Sequence, residues 1–355
     1  METQYAALSE EDIDACIIER AGQILREGGL VAFPTETVYG LGGDALQADS
    51  SRKIYAAKGR PSDNPLIVHI CRMEDLAAIV EEIPPEALVL AKAFWPGPLT
   101  MIFHKSSLVP RETTGGLDTV AVRFPSNRIA MALIDAAGGY VAAPSANRSG
   151  RPSPTLARYC REDLDGRVDM IIDGGEVGIG LESTIIDLTG EKPMILRPGY
   201  ITEAMLEDLL GQVEVDRTIL DDASDQAPRA PGMKYRHYAP RGILTITEGS
   251  PEACAAYVNR KVLEENEKGR RVGVICTDES RDLYRADIVK SAGSRSDIRS
   301  VARNLFRILR EFDDEGLPVL YSESFSEDGL GMAVMNRLRK AAGHRIVRLE
   351  EGSGC

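Results

Sequence analysis

Soft metal ligands are scarce in this 355-residue sequence, with four histidines and six cysteines in all. The cysteines, at positions 16, 71, 160, 254, 276 and 355, form no CxxC pair, and the histidines do not cluster. That argues against a zinc site and against a disulfide framework, and leaves scattered core thiols as the plain reading. Long apolar runs are missing too: no stretch approaches the roughly 20 residues a membrane-crossing helix needs. The first residues, METQYAALSEEDIDA, are acidic with no apolar centre, so no signal peptide is read there and a cytoplasmic location is expected. Positive charge is in deficit, 42 Lys and Arg against 55 Asp and Glu for a net −13, which speaks against a broad nucleic-acid-binding face. GxxxxGK[ST] does not occur, and GEVGIGLES offers Gly-x-Gly without the third glycine. Neither a P-loop nor a dinucleotide fingerprint is therefore expected.

What is present is the composition of a globular protein, 43% hydrophobic and 27% charged. The length suffices for two domains with separate cores. Ile13, Ile17, Ala21 and Ile24 fall on one face of a helix expected over 10–28, with Ser9 and Asp12 as a capping-box-like start. Gly28-Gly29 stops it and LVAF reads as a buried strand. Short apolar runs (LIVHI, LTMIF, VAVRF, VAAP, MIID, TIID, MILR) then alternate with helices near 73–82, 86–94, 127–137 and 202–210. Such alternation predicts an α/β fold on a largely buried sheet. After Gly211 the acidic stretch VEVDRTILDDASDQAPRAP lacks apolar periodicity and reads as a linker. A second alternation follows, with helices near 251–267, 297–313 and 331–342. The expected organisation is a first domain over 1–212, a linker over 213–241 and a smaller α/β domain over 242–355.

Polar residues interrupt or follow the buried strands of the first domain at several places. FPTETVYGLGGDA places two threonines and a glutamate past the end of LVAF, where open α/β sheets bind ligands. KGRPSDNPLIVHI sets Lys58 and Arg60 two apart, then Asn64, and puts His69 inside an apolar run. TVAVRFP embeds Arg123 among residues that favour burial, and a buried arginine requires a carboxylate or phosphate partner. APSANRSGRPSP follows a strand with Ser145, Asn147 and Ser153, suited to anion binding through hydroxyls and backbone N–H groups. LEST and ILRPG add Ser183 and Arg197. Singly, each also reads as a polar turn, a solvated charge at a helix end or a satisfied core histidine. Together they point to a site for an anionic ligand in an acidic protein.

These stretches, with WPGPLT and the linker run PGMKYRHYAP, closely resemble the YrdC-like family in its long two-domain form. The resemblance runs collinearly through the first domain, and Lys58, Arg60, Ser145 and Asn147 match the family's signature set. Ala230 departs from it, since relatives more often carry Ser before PGMKYRHYAP. The resemblance implies a twisted mixed α/β sheet with a large concave cleft, and a Rossmann-like second domain. It also implies nucleotidyl transfer: L-threonine, bicarbonate or carbon dioxide, and ATP give threonylcarbamoyl-AMP and pyrophosphate. A separate transferase complex then places the group on tRNA beside the anticodon, and the resemblance leaves room for a transient tRNA contact. By the same resemblance Thr37, His69, Arg123, the Ala143 backbone and Ser183 face threonine. Arg60, Asn64, Thr119, Ser145, Ser153, Arg197 and Tyr238 face ATP, with Lys58 nearby. No carboxylate pair suited to a metal stands out, so Mg2+ is expected to arrive with the nucleotide.

Two other readings belong to different classes. A carbamoyltransferase of hydrogenase maturation contains a YrdC-like domain but adds an acylphosphatase-like module and Cys-rich zinc modules, for which this chain lacks length and CxxC pairs. A non-catalytic RNA-binding translation factor is opposed by the acidic balance. The tyrosines, Lys234, Arg236 and His237 of the linker run are further expected to fold over the cleft as a lid, with Tyr238 near the nucleotide.

Overall fold

Asp14, rather than the Ser9–Asp12 pair, starts the first helix. Its carboxylate accepts the Cys16 and Ile17 N–H groups at 2.8 and 3.3 Å, so the helix runs Ala15–Arg26. Ser9 instead closes a turn, accepting from the backbone of Glu11 and Asp12. Asn127 and Thr202 likewise cap the helices Arg128–Ala136 and Glu203–Leu210. The helix expected near 73–82 is a 3-10 turn, Met73–Asp75, and one α turn, Leu76–Ile79. Val80 leaves it to form a bridge with Lys105. Two helices were not among those foreseen, Ala48–Lys58 and Ala157–Leu164.

The structure is a computed structural model and describes residues 2–216, 230 and 237–349. The chain forms two compact units: Met1–Ser149 with Ser153–Tyr235, and Gly150–Pro152 with Arg236–Cys355. No helix among the described residues is long and apolar enough to cross a membrane.

The first unit is built on one mixed sheet. Its strands are β1 (Gln4–Ala7), β2 (Val31–Phe33), β3 (Gly40–Asp44), β4 (Ile67–His69), β5 (Leu99–His104), β6 (Thr119–Arg123), β7 (Val141–Ala142), β8 (Met170–Asp173), β9 (Thr184–Asp187), β10 (Met194–Arg197) and β11 (Glu214–Val215). Their order is β1-β8-β2-β3-β7-β4-β6-β5-β9-β10-β11. Parallel pairs (β4 with β6, β5 with β9) sit beside antiparallel ones (β5 with β6, β4 with β7). Successive side chains of a strand point to opposite faces. On the central strands one set (Val68, Met101, Phe103, Val120, Val122, Ile186) joins the main hydrophobic core with Leu90, Trp95 and Leu206. Each fully buried Leu or Ile contributes about 1.5–3 kcal/mol there. The alternate set (Ile67, Ile102, Ala121, Ile185, with Leu196 of β10) forms a smaller cluster, in which Ala230 is completely buried.

The second unit carries an all-parallel sheet: β12 (Ile243–Glu248), β13 (Val272–Cys276), β14 (Ile288–Ser291), β15 (Val319–Glu323) and β16 (Ile346–Arg348). Their order is β14-β13-β15-β12-β16. The helices Pro251–Asn266, Ile298–Asp314 and Leu330–Ala342 match the expected ones to within a residue or two. Arg310, with no exposed surface, donates from Nε and Nη2 to the Pro152 carbonyl at 3.0 and 2.6 Å within this unit.

Candidate active site

The ends of β4, β5 and β6 place three polar side chains side by side. Arg123 pairs in register with His69 on one side and Thr100 on the other. Side-chain alternation then puts Arg123 on the face of Ala121, His69 on that of Ile67 and Thr100 on that of Ile102. These are the residues of the smaller apolar cluster, not of the main core. Thr119 lies on the same face, four residues from Arg123 along β6. Ser183, one residue before β9, joins through a 2.7 Å hydrogen bond between its hydroxyl and that of Thr100. Arg197 closes the set, donating to the Ser183 carbonyl and hydroxyl at 3.0 and 3.1 Å from beside a register shift in β10.

The loop after β2 supplies the opposite wall. Thr37 is fully buried, its hydroxyl 2.9 Å from that of Thr35, and Thr35 caps the turn by accepting the Thr37 and Val38 N–H groups. Between them Glu36 reaches Arg123, with Oε1 2.7 Å from Nη2. The loop backbone ties the other segments together. Tyr39 accepts from Ala146 and donates to Pro154, while Glu36 and Thr37 accept from Ile179 and Gly180. The Tyr39 hydroxyl anchors the turn on the Gly175 carbonyl at 2.6 Å, and burial pushes its pKa upward. Ala143 donates its N–H to Ile67 and is itself buried.

A second group gathers at the end of the helix Ala48–Lys58. Gly59 terminates it with φ 64°, a left-handed conformation suited to glycine. Lys58 is 3% exposed and donates to the carbonyls of Ser145 and, at 2.5 Å, Asn147. The Ser145 hydroxyl in turn donates to Asn147 Oδ1 at 2.5 Å. This corrects the alternative of a solvated Lys58: its ammonium is buried and donates to loop carbonyls that it holds in place. Arg60 is half-buried and donates to Asn64 Oδ1 and to the Pro65 carbonyl at 2.5 and 3.0 Å. Asn64 is 1% exposed, and its Nδ2 donor has no hydrogen-bond partner. Ser153 is buried and donates to Glu182 at 2.5 Å.

Of the sequence-derived candidates, His69, Thr119, Arg123, Ser183 and Arg197 thus lie along the sheet face, Thr37 in the β2 loop, and Lys58, Arg60, Asn64, Ser145 and Asn147 around the end of the helix Ala48–Lys58. Tyr238 belongs to the second unit, where its ring stacks on Phe306 with centroids 5.1 Å apart. Lys234 and Arg236 of the expected lid lie outside the described residues. The sequence reading placed Glu36 in the candidate ligand loop without giving it a role, and passed over Thr100, although a threonine in the apolar run LTMIF was a visible signal.

Burial and the neighbouring Arg123 charge push the His69 pKa down to about 3, and its Nδ1 lies 3.1 Å from the Ile67 carbonyl. The imidazole is therefore neutral at physiological pH. The site combines a buried guanidinium and carboxylate, a neutral imidazole, several hydroxyls and a cation-braced loop. Such a set suits a small zwitterion bearing a hydroxyl, next to a phosphate-bearing ligand.

A mixed α/β sheet with these strand ends defines a YrdC-like ligand-binding domain joined to a parallel α/β unit. The Sua5–YciO–YrdC family profile, described as telomere recombination, matches residues 23–199. A second profile, described as the C-terminal domain of threonylcarbamoyl-AMP synthase, matches 201–343. The chain belongs to the Sua5–YciO–YrdC family. It is 48% identical to the threonylcarbamoyl-AMP synthase of Pyrococcus abyssi over 96% of this chain and 98% of that one. It is 48% identical to the Bacillus subtilis protein of the same name, over 93% of this chain and 94% of that one. The crystal structure of P. abyssi Sua5 complexed with L-threonine superposes with a TM-score of 0.92 and 46% identity, covering 99% of this chain and 100% of that one.

Proposed function

We propose that the protein is a threonylcarbamoyl-AMP synthase. It joins L-threonine, bicarbonate or carbon dioxide, and ATP, releases pyrophosphate, and so performs the first step of threonylcarbamoyladenosine formation in tRNA. The observation that carries this reading is the single sheet face on which His69, Arg123 and Ser183 stand together, walled by Thr37. Arg123 takes the threonine carboxylate, and the neutral His69 and the hydroxyls answer the substrate hydroxyl. A site built to satisfy a hydroxyl rejects analogues that lack it.

The threonine nitrogen attacks the carbon of carbon dioxide, losing a proton, to give a carbamate; bicarbonate enters the same step with loss of water. A carbamate oxygen then attacks the α-phosphorus and pyrophosphate departs. Arg60, Asn64, Thr119, Ser145, Ser153 and Arg197 are assigned to ATP. The buried, unsatisfied Nδ2 of Asn64 beside the Arg60 guanidinium supports that assignment. Lys58 acts by fixing the Ser145–Asn147 loop. Their work is positioning and charge neutralisation at phosphorus. Among the described residues no group of three or more His, Cys, Asp or Glu could hold a metal ion. Mg2+ is assigned to enter with the triphosphate and to keep phosphate and water ligands, the usual preference of that ion. The product passes to a separate tRNA-modifying transferase, and the reaction is cytoplasmic.

The test is pyrophosphate release by the full-length protein with ATP, with and without L-threonine and bicarbonate, in the absence of RNA. Release requiring both, with threonylcarbamoyl-AMP detected by mass spectrometry, is expected. Release indifferent to threonine, or none at all, overturns the reading.

A further inference from the structure

Glu36 stands in the pocket with no role in the account above. Its side chain is 14% exposed and that of its partner Arg123 is 5% exposed, so the pair is withdrawn from water. The two are 2.7 Å apart, yet neither Glu36 oxygen nor Arg123 Nη2 takes part in an aligned hydrogen bond. Ion pairs removed from solvent are costly unless their remaining donors and acceptors are satisfied. A buried pair of opposite charges with unspent hydrogen-bonding capacity is matched by a guest that brings one charge of each sign.

An α-amino acid is such a guest. Its carboxylate needs a guanidinium, and its ammonium needs an anion or several acceptors. Around Arg123 the carboxylate is Glu36, and the other charged group of the set is the Arg197 guanidinium held on Ser183. His69 is buried and held neutral, Thr100 and Ser183 bond to each other, and Gly97 offers a carbonyl 3.4 Å from Arg123 Nε. Among the described residues, Glu36 is the carboxylate in ion-pair contact with Arg123.

We propose that Glu36 binds the substrate ammonium, so that the Arg123–Glu36 pair recognises the zwitterion as a whole. The inference rests on the threonine reading above and deepens it. In the free protein the two side chains neutralise each other, which limits the cost of burying Arg123. When threonine enters, its carboxylate takes the Arg123 fork and its ammonium takes Glu36. Each buried charge then gains a directed, charge-assisted hydrogen bond. Ligands bearing only one of the two charges leave the other protein charge poorly satisfied.

Binding is measured by calorimetry on the full-length protein with two ligands, L-threonine and 3-hydroxybutanoate, which keeps the carboxylate and hydroxyl but lacks the amine. Glu36→Gln is expected to weaken threonine binding by about 10- to 100-fold, the range of a hydrogen bond to a charged group. It should leave 3-hydroxybutanoate binding unchanged or stronger, because the competing carboxylate at Arg123 is gone. The wild-type preference for threonine over the amine-free ligand therefore collapses in the variant. Glu36→Asp, which keeps the charge on a shorter arm, should retain part of that preference. If Glu36 merely braces Arg123, Glu36→Gln weakens both ligands in parallel and the preference survives, which overturns the proposal. Should Glu36→Gln fail to fold, loss of the preference in Glu36→Ala or its survival there decides the question in the same way. If the wild-type protein binds no threonine, the functional reading itself fails, a result distinct from either outcome for the variant.

Discussion

Lys58 and Arg60 stand two residues apart in KGRP, yet their surroundings differ and so do the expected costs of losing them. Lys58 is buried and holds the Ser145 and Asn147 carbonyls. Lys58→Ala strands those acceptors, at roughly 1–3 kcal/mol. Both melting temperature and synthase rate should fall, the melting point by several degrees. Arg60 is half-buried and bonds within its own turn. Arg60→Ala strands the buried Asn64 Oδ1 and should lower the melting point less than Lys58→Ala does, while lowering the rate by ~100-fold if the guanidinium serves the phosphates. Parallel losses in the two variants would contradict this contrast. His69 gives a pH prediction whose sign follows from its depressed pKa, about 3 against an ordinary 6.5. Below 6.5 the unfolded chain binds a proton that the folded chain refuses. The contribution of a neutral His69 is thus complete above pH 6.5 and drains away as pH falls toward 3. The melting-temperature advantage of wild type over His69→Gln should shrink steadily across that window. An advantage that grows on acidification would mean the imidazole is charged in the folded state.

At the scale of elements, legibility tracked locality. The strands VAVRF and LIVHI were readable because a charged or polar residue breaks an apolar run at its end. The helices of the second unit were readable because 17-residue Ile298–Asp314 and its neighbours carry sustained apolar periodicity. The helix Ala48–Lys58 was not, since its sequence ADSSRKIYAAK is weakly amphipathic and Gln47 makes no side-chain cap. The order of the large sheet was also hidden: β1 pairs with β8, with Met170 opposite Gln4, and no local pattern encodes that partner. The role of Glu36 was hidden for the same reason, as its partner Arg123 lies on a strand far along the chain. Side-chain alternation does yield a prediction once the strands are known. Ala230 fills the apolar cluster on the face that bears His69 and Arg123. Ala230→Leu would overpack it by roughly 1–3 kcal/mol. The strain is expected to raise the KM for threonine or ATP, with little change in Ala230→Gly. Unchanged kinetics in the leucine variant would detach this segment from the site.

For the whole molecule, each unit has its own sheet and its own apolar core, so the first should fold alone. A chain ending at Gly211 keeps the strands from β1 to β10 and the main core apart from Val213, but loses β11 and Ala230. The site residues of the first unit, from Thr37 to Arg197, are all retained in it. If those residues were sufficient, this short form would match full-length protein in rate. The burial of Ala230 on the site-bearing face argues otherwise, because it places that residue against the cluster beneath His69 and Arg123. Loss of Ala230 uncovers Ile67, Ala121 and Ile185 and should admit water next to the carbamate and its mixed anhydride. The form ending at Gly211 is therefore expected to melt cooperatively but to make little threonylcarbamoyl-AMP. A form ending at Arg241, which restores the segment without the second unit's sheet, should recover part of the rate. Pyrophosphate release and product yield from the three lengths, measured side by side, decide the matter. Equal rates and equal nucleotide affinities in the shortest and longest forms would reduce the segment to a tether.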